Sequence, residues 1–336
     1  MQKPIGVIIL NWNGAELLRK YLPTVVSGND DDIADVVVVD NGSDDDSREV
    51  LAREFPTVRT LCFDQNFGYA EGYNKAIEAL GYRYSVLLNS DVAVPAGWLR
   101  PLYGYMSQHP EVAACQPKIR SDAERERFEY AGASGGFLDK HGYPYCRGRI
   151  FDTVERDEGQ YDDIADIFWA TGAALFVRTD AYLAAGGLDK HFFAHMEEID
   201  LCWRIRQAGM SIRVVPDSCV YHLGGGSLPA SNPRKTYLNF RNNLLLLYKN
   251  LPSSEGRRLL FVRRLYDALA FAMFVAKLDF PNARAVVQAH RDYRRMKHRY
   301  DALRPSHSLR RDYACFRQNV IISYYLLRRR RFSDLK

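Results

Sequence analysis

Four polar clusters hold the residues of this 336-residue chain that are best suited to chemistry. Three of them directly follow short apolar runs: Asn11-Trp12-Asn13-Gly14, Asp40-Asn41-Gly42-Ser43 and Asn89-Ser90-Asp91. The fourth, Glu197-Glu198-Ile199-Asp200, opens a stretch with helical periodicity. Carboxylate and amide groups of this kind can bind a metal ion, accept a hydrogen bond from a nucleobase or remove a proton.

The first carboxylates suit a metal and a nucleotide. Asp91 comes immediately after the apolar run 85–88, where it can hold a hard divalent cation, Mg²⁺ or Mn²⁺, together with phosphate oxygens. Asp40 can accept a hydrogen bond, for example from the imide N–H of uracil or thymine. The chain has no GxxxxGK[ST] phosphate loop and no GxGxxG dinucleotide motif. A metal must therefore carry much of the charge of any bound phosphates.

The acidic run offers a general base. On a helix, Glu198 shares one face with the apolar residues Leu201, Cys202 and Ile205, which predicts an inward carboxylate near a helix N-terminus. The alternative is that the two glutamates only complement the helix dipole, and that Asp200 pairs with a basic residue four positions later. His222 follows 24 residues after Glu198. A lone histidine is more often structural than a ligand, so its role stays open on sequence alone.

Alternating strands and helices must position these clusters. Strands are predicted at 5–10, 36–40, 58–63, 85–88, 173–177 and 212–215, and helices at 15–26, 47–53, 70–79, 97–108 and 197–208. This order predicts an α/β fold with a mostly parallel sheet covered on both faces. Residues 120–165 are polar and irregular, which predicts either loop excursions or a small antiparallel portion. Ligands bind at the carboxyl ends of such strands, so three of the clusters should meet at one edge.

Composition excludes several classes of protein. Apolar residues make up 47% of the chain and charged residues 26%, which is typical of a globular protein and not of a disordered one. The chain has no apolar run of the length of a membrane span and no pattern of a secretory signal. Its six cysteines are scattered, which predicts free thiols and a cytoplasmic location.

Charge divides the chain into two predicted parts. Residues 1–233 carry a net charge of −12, whereas residues 234–336 carry 24 Lys and Arg against 7 Asp and Glu, a net charge of +17. The first part is predicted to be the catalytic domain and the second a basic helical region. Within the second, Leu265–Leu278 is apolar over 14 residues, too short to cross a bilayer. We expect contact with an anionic membrane surface on the cytoplasmic side, and the alternative is a helical bundle or homo-oligomer contact. No nucleic-acid motif accompanies the basic residues.

Together these motifs resemble family 2 glycosyltransferases, in particular the bacterial rhamnosyltransferase-like branch, over about residues 5–241. The motifs, in chain order, are VIILNWNG at 7–14, VVDNGS at 38–43, NFGYAEGYN at 66–74, LNSD at 88–91, WATGA at 169–173, GGLD at 186–189 and EEIDLC at 197–202. The resemblance implies the GT-A fold, a Rossmann-like nucleotide-diphospho-sugar transferase domain, here with a C-terminal helical extension. It also implies an inverting, metal-dependent enzyme that uses a nucleotide sugar.

The resemblance also implies roles for individual residues. Asp91 and His222 would be the metal ligands, and Glu198 the base, with Glu197 as its rival because the family more often has Asp at the second acid. Asp200 would hold the acceptor hydroxyl or orient the site. The residues implied to bind the nucleotide sugar are Asn11, Asn13, Asp40, Gly42, Asn66, Gly68, Asn74, Asn89, Gly172 and Ala173. The donor would be a UDP- or dTDP-sugar, with dTDP-rhamnose favoured, and the acceptor a cell-surface glycan or lipid-linked glycan.

Three other functions compete with this one. Gly132-Ala133-Ser134-Gly135-Gly136 fits the GxSxG pattern of a hydrolase, but the flanking segments are a poor strand and a poor helix. His191 and His195 have the HxxxH spacing of a zinc site, but they precede the helix instead of lying in it. A non-catalytic relative that only binds a nucleotide sugar or glycan is the better alternative, and the retained carboxylates and His222 disfavour it.

Overall fold

The computed structural model, which describes residues 2–224 and 232–335, begins with alternating strands and helices. In chain order these are β1 (Ile5–Asn11), α1 (Ala15–Ser27), β2 (Ala34–Asn41), α2 (Ser47–Glu54), β3 (Arg59–Phe63), α3 (Gly68–Leu80), β4 (Tyr84–Leu88), β5 (Val92–Ala93), α4 (Leu99–Gln108) and β6 (Val112–Ser121). Every strand and helix predicted in this part is present, with ends that shift by a few residues.

The second part of the sheet follows a small insertion. Four short strands, β7 (Gly136–Leu138), β8 (Pro144–Cys146), β9 (Arg149–Ile150) and β10 (Thr153–Val154), form a separate antiparallel sheet, as predicted for this segment. The chain then returns through β11 (Ala165–Asp166), β12 (Ala174–Arg178), α5 (Thr179–Ala184), α6 (Glu197–Gln207) and β13 (Ser211–His222). The glycine-rich loop after β13 lies largely outside the described residues.

The nine-stranded sheet has the order β11-β13-β6-β12-β4-β1-β2-β3, with β5 beside β13. Strands β1, β2, β3 and β4 run parallel, and β12 runs antiparallel between β4 and β6. Side chains of β1, β2 and β4 are buried on both faces: Val7, Val38 and Val86 pack in one apolar cluster, and Ile8, Val37 and Leu87 in another. Two buried faces explain why these strands are continuous apolar runs. The predicted α/β class with a mostly parallel sheet is confirmed.

Strand β6 was missed from the sequence. It lies in the middle of the sheet, parallel to β13, yet contains Pro117 and the polar residues Gln116 and Lys118. The pairing with β13 jumps from Val214–Gln116 to Cys219–Lys118, so the proline lies at an irregularity in the ladder. Proline is tolerated in sheets at such positions because no ladder hydrogen bond is required from it.

Helices make up most of the C-terminal region. Three long ones follow one another: α7 (Pro233–Asn250), α8 (Ser253–Ala276) and α9 (Phe280–Met296); short turns of 3₁₀- and π-helix complete the chain. No helix within the described residues is both long and apolar enough to cross a bilayer. The domain boundary predicted at 233/234 falls where α7 begins, but α7 packs closely against the preceding domain. The division into two domains therefore stays a prediction.

Candidate active site

The predicted polar clusters meet at one edge of the sheet. Strands β2, β1 and β4 are neighbours, and the register pairs Asn11 with Asp40 at the ends of β1 and β2. Asp91 lies three residues after the end of β4, and the next residue, Val92, pairs with His222 at the end of β13. Residues more than 130 positions apart in sequence therefore adjoin each other.

Asp91 and His222 form a site that fits a divalent cation. Asp91 Oδ1 lies 3.1 Å from His222 Nε2, and both side chains are largely buried. Two adjacent ligands of an octahedral ion at ~2.1 Å lie about 3 Å apart, so the spacing suits Mg²⁺ or Mn²⁺. The described part of the chain offers no group of three or more His, Cys, Asp or Glu around an ion. Diphosphate oxygens and water would have to complete the coordination, as is usual for Mg²⁺.

Glu129 is a functional candidate that the sequence analysis missed. Its Oε2 lies 3.2 Å from Nδ1 of His222, on the side of the ring opposite Asp91, and it is only 6% exposed. Burial disfavours the charged imidazole, but Asp91 and Glu129 outweigh this and raise the pKa of His222 to about 10. Glu129 therefore lies within ion-pair distance of Nδ1, where it can orient the ring. It lies in the irregular segment after β6, where no sequence signal distinguishes it.

Asp40 keeps a free acceptor at the end of β2. The side chain is fully buried, and its Oδ2 accepts a hydrogen bond from Arg48 Nε at 2.6 Å. Its other oxygen, Oδ1, has no partner among the described residues. A buried acceptor without a partner is costly, and an incoming N–H group would satisfy it. Arg48 on α2 was also missed, because a charge pair with a strand end cannot be seen from local sequence.

Several predicted nucleotide-site residues shape the loops around this edge. The Asn13 backbone N–H donates to Ser43 Oγ at 3.0 Å, and Asn13 Oδ1 accepts from the Asp44 N–H, also at 3.0 Å. The buried Asn11 retains an unpartnered Oδ1. Gly42 has a positive φ of 71°, and a Cβ there would lie 2.4 Å from backbone of the neighbouring loop. Only glycine allows this close approach.

The NFGYAEGYN segment divides between two tasks. Asn66 Oδ1 accepts from the backbone N–H of Gly68 at 2.7 Å, which fixes the turn into α3. Asn74 is directed elsewhere: its amide donates to Leu188 O and accepts from Leu188 N, both at 2.8 Å. Asn74 thus stabilises the GGLD turn through two hydrogen bonds to the backbone of Leu188. A contact between Asn74 and the nucleotide stays a prediction without geometric support.

Tyr69 links the metal side of the site to the acidic side. Its hydroxyl lies 3.1 Å from Gly172 O and 3.4 Å from Asn89 Oδ1. The Asn89 N–H donates to Ala173 O, so the predicted segment 172–173 is tied to the same place. Burial above all, together with the negative charge of Glu197 and Glu198 nearby, raises the pKa of Tyr69. This tyrosine, not singled out from the sequence, therefore contacts Asn89 and is near enough to the two glutamates to be affected by their charge.

The two glutamates begin α6 with unsatisfied oxygens. Glu197 is 6% exposed, and one carboxylate oxygen of each residue has no partner among the described residues. Burial raises the pKa of Glu198 to about 7 and that of Glu197 well above its ordinary value, where repulsion from Glu198 adds to the effect. A carboxylate with a pKa near neutrality and a free oxygen suits a general base.

Asp200 is occupied by structural contacts. It is fully buried; its Oδ2 pairs with Arg204 Nε at 2.9 Å and Lys249 Nζ at 2.8 Å, and its Oδ1 accepts from Asn250 at 2.7 Å. These partners lower its pKa against the effect of burial. No oxygen is left for an acceptor hydroxyl, so the geometry favours the orienting role among the two predicted for it.

The segment before α6 is strained and is held by side chains of α7, among them Asn242 and Arg241, which donates to Phe192 O at 2.8 Å. Phe193, His195 and Met196 all have positive φ angles, which non-glycine residues rarely adopt. The amide nitrogen of Asn242 on α7 donates to the carbonyl oxygens of Phe192 at 2.9 Å, Ala194 at 2.8 Å and His195 at 2.7 Å. A helix from the predicted C-terminal region therefore fixes the segment that leads into the candidate catalytic acids.

Removing this brace is the first testable consequence. We expect Asn242→Ala to lower the free energy of unfolding by about 2–3 kcal/mol, because it leaves buried carbonyl groups unpaired. It should also lower kcat more than it changes KM for the donor, since only the acids are displaced. Thermal unfolding and steady-state kinetics measure both effects, with Gln108→Ala, at an exposed position at the end of α4, as a control. Unchanged kcat in a folded variant would contradict the bracing role.

The competing functions find little geometric support. Ser134 of the GxSxG pattern is fully buried, and its hydroxyl donates to Tyr161 O at 3.2 Å. It therefore cannot meet a substrate as a nucleophile. The His191 and His195 pair belongs to no metal-binding group within the described chain.

Comparison with known proteins bears on the family. Residues 6–160 match the model of glycosyl transferase family 2. The chain is 26% identical over 238 residues to N-acetylglucosaminyl-diphospho-decaprenol L-rhamnosyltransferase of Mycobacterium tuberculosis, covering 66% of this chain and 76% of that protein. It is 24% identical over 272 residues to dTDP-rhamnosyl transferase RfbF of Shigella flexneri, with coverage of 74% and 82%.

Solved structures support the fold. GalNAc-T7 with UDP, GalNAc and Mn²⁺ aligns with a TM-score of 0.56 at 15% identity, over 75% of this chain and 48% of that one. The mannosyltransferase PcManGT of Pyrobaculum calidifontis, in complex with GDP-Man and Mn²⁺, aligns at 0.51 and 14% identity, over 90% and 85%. The predicted GT-A fold is confirmed. Residues 6–160 thus match glycosyl transferase family 2, and the chain is similar to rhamnosyltransferases over 66–74% of its length.

Proposed function

We propose that the chain is a metal-dependent inverting glycosyltransferase that moves a sugar from a UDP- or dTDP-sugar to a hydroxyl of a glycan or lipid-linked acceptor. One observation carries the proposal: Tyr69 contacts Asn89 and Gly172, close to the Asp91–His222 pair, and it is also near enough to Glu197 and Glu198, which keep unpartnered oxygens, to be affected by their charge. A candidate general base and a candidate site for the leaving diphosphate are therefore neighbours of the same tyrosine. The names of the two relatives favour dTDP-rhamnose as donor.

The residues divide the work of a direct displacement. Glu198, or Glu197 in its place, takes the proton from the acceptor hydroxyl as its oxygen attacks the anomeric carbon. Asp91 and His222 would hold Mg²⁺ or Mn²⁺, which neutralises charge on the leaving diphosphate. Asp40 accepts a hydrogen bond from the imide N–H of the nucleobase. Tyr69 and Gly172 border the sugar. Attack from the face opposite the leaving group inverts the anomeric configuration, without a covalent sugar–enzyme intermediate.

A donor screen tests this function. Calorimetry with UDP, dTDP and GDP, each with and without Mn²⁺, should show metal-dependent binding of UDP or dTDP. NMR of the product made from the matching sugar nucleotide should then show inversion. The absence of nucleotide binding with metal present would contradict the proposal and favour the non-catalytic alternative.

The proposed contact between Asp40 and the nucleobase makes a second, narrower prediction. We expect Asp40→Asn to weaken UDP or dTDP binding by about 10-fold or more, because a charged acceptor is lost from the imide N–H. Calorimetry measures the change, and Asp46→Asn, an exposed partner of Arg19, is the matched control. Equal nucleotide affinities in the Asp40 variant and the wild type would mean that the nucleobase does not bind at Asp40.

We further propose that the enzyme works at a membrane surface as a peripheral protein on the cytoplasmic side. The net charge of +17 in residues 234–336 supports attraction to anionic lipids. A lipid-linked acceptor would bring its sugar to the same surface.

A further inference from the structure

The hairpin of α8 and α9 ends in apolar side chains that the rest of the described chain leaves uncovered. Leu269 is 59% exposed, Leu278 is 74% exposed and Phe280 is 58% exposed. Every residue from 268 to 278 retains some exposure, and only Lys277 among them is charged. We call residues 268–280 the α8–α9 tip. An apolar patch of this kind on a protein surface marks an interaction site.

The charges around the tip point to the kind of partner. Exposed cations lie in the tip or within about one helical turn of it: Arg264, Lys277 and Arg284. The acidic residues of the hairpin are engaged internally. Asp267 is buried between Arg263 at 3.3 Å and His290 at 3.0 Å, and Asp279 caps the start of α9. An apolar tip with a cationic collar complements an anionic bilayer, with its headgroups outside and its acyl chains within.

A second copy of the chain fits this surface less well. Pairing two tips would bring two collars of positive charge together, and like charges across an interface are repulsive. The tip is also too short to cross a membrane. The nine helical residues 268–276 extend about 14 Å, against ~30 Å for the hydrocarbon core.

The connections between helices orient the tip. Short turns at Leu251–Pro252 and Lys277–Asp279 join α7, α8 and α9, so that successive helices reverse direction. The α8–α9 tip therefore lies at the end of the helical region where α7 begins. Helix α7 begins at Pro233, eleven residues after His222. In its first turn, Lys235 Nζ lies 5.7 Å from the ring centroid of Tyr130, the neighbour of Glu129, which contacts His222. The tip and the candidate metal site thus lie toward the same end of the helical region.

We propose that the α8–α9 tip inserts as an apolar wedge into the headgroup region of an anionic membrane and directs the active site toward that surface. This deepens the proposed membrane contact; only its orientation rests on the proposed transferase function. The wedge differs from adsorption by charge, because its contribution persists in salt that screens the basic residues.

Vesicle binding of the full chain tests the wedge. Flotation with phosphatidylcholine vesicles containing about one-third phosphatidylglycerol measures the partition coefficient. Leu269→Glu combined with Leu278→Glu should lower it about 100-fold, since each buried leucine contributes roughly a factor of ten or more. Leu183→Glu, on an exposed apolar residue of α5, should leave it unchanged. Equal binding of the tip variant and the wild type would overturn the proposal.

A second measurement locates the inserted residue. In Phe280→Trp, the fluorescence of the added tryptophan should be quenched by brominated acyl chains. The native tryptophans, measured in the wild type, should show less quenching. A lack of quenching in the bound protein would overturn insertion. A change of oligomeric state in the Leu269→Glu, Leu278→Glu variant with unchanged vesicle binding would overturn it in favour of a dimer contact. Metal-dependent donor binding, measured without vesicles, tests the transferase proposal separately.

Discussion

Replacing Glu198 by glutamine is expected to lower kcat by about 10²–10⁴-fold, because the acceptor hydroxyl loses its general base while the donor site stays intact. Nucleotide affinity should change little, since Asp40, Asp91 and His222 are untouched. Steady-state kinetics and nucleotide calorimetry separate the two effects. Glu49→Gln, an exposed residue of α2, is the matched control.

A glutamine substitution at the neighbouring position, Glu197, decides which glutamate is the general base. Glu197→Gln should be the milder change if Glu198 is the base, because Glu197 is the more buried of the two and is further raised in pKa. A larger loss in Glu197→Gln than in Glu198→Gln would reverse the assignment. Equal and small losses in both would contradict a carboxylate base at the start of α6.

The pH dependence has a defined sign. A carboxylic acid can act as base only when ionised, so kcat should rise with pH through about 7, the pKa of Glu198. Stability should follow the opposite course. The raised pKa values mean that the folded state favours the protonated acids. The protonated glutamates therefore contribute fully to the free energy of unfolding below the unfolded-state pKa of about 4. This stabilisation is lost as pH rises through the pKa values of the folded state.

Glu197→Gln separates stability from activity. An uncharged amide removes the cost of a buried carboxylate, so the variant should be more stable than the wild type by at least about 1 kcal/mol near pH 8, and by little near pH 4. Thermal unfolding at both pH values measures this. A variant that is less stable than the wild type near pH 8 would show that the carboxylate has a stabilising partner.

Local patterns account for what the sequence could predict. The strand 36–40 and the polar turn Asp40–Ser43 are adjacent in the chain, and parallel pairing brings such turns to one edge. Contacts between distant residues escaped prediction. Asn242 holds carbonyl groups almost 50 positions away, and Glu129 meets His222 from 93 positions away. Neither belongs to a motif, because its task depends on which loops the fold places beside it.

A motif that is read as one unit can combine residues with different contacts. Asn66 and Asn74 both belong to the NFGYAEGYN segment, yet α3 separates their side chains by almost two turns. Asn66 shapes the loop near Asp40's strand end, whereas Asn74 clasps the turn at Leu188. A run of residues shared with a family therefore mixes ligand contacts with contacts that only hold the fold.

Loss of either proposed metal ligand should abolish metal-dependent nucleotide binding, whereas loss of Glu129 should weaken the binding of the metal ion. Asp91→Asn removes a charged ligand, so we expect no measurable Mn²⁺ effect on UDP or dTDP affinity. Glu129→Gln should weaken Mn²⁺ binding by about 10–100-fold, the usual cost of losing a carboxylate behind a metal-binding histidine. Titration of Mn²⁺ by electron paramagnetic resonance in the presence of nucleotide measures both without turnover.

The geometry explains why Glu129 should matter although it touches no substrate. Nε2 of His222 faces Asp91, so it can bind a metal only if the proton stays on Nδ1, and Glu129 lies 3.2 Å from that atom. Glu129→Asp should therefore restore part of the Mn²⁺ affinity, whereas Glu126→Gln, an exposed neighbour, should have no effect. Wild-type Mn²⁺ affinity in Glu129→Gln would show that Asp91 and the nucleotide hold the ion without an oriented His222.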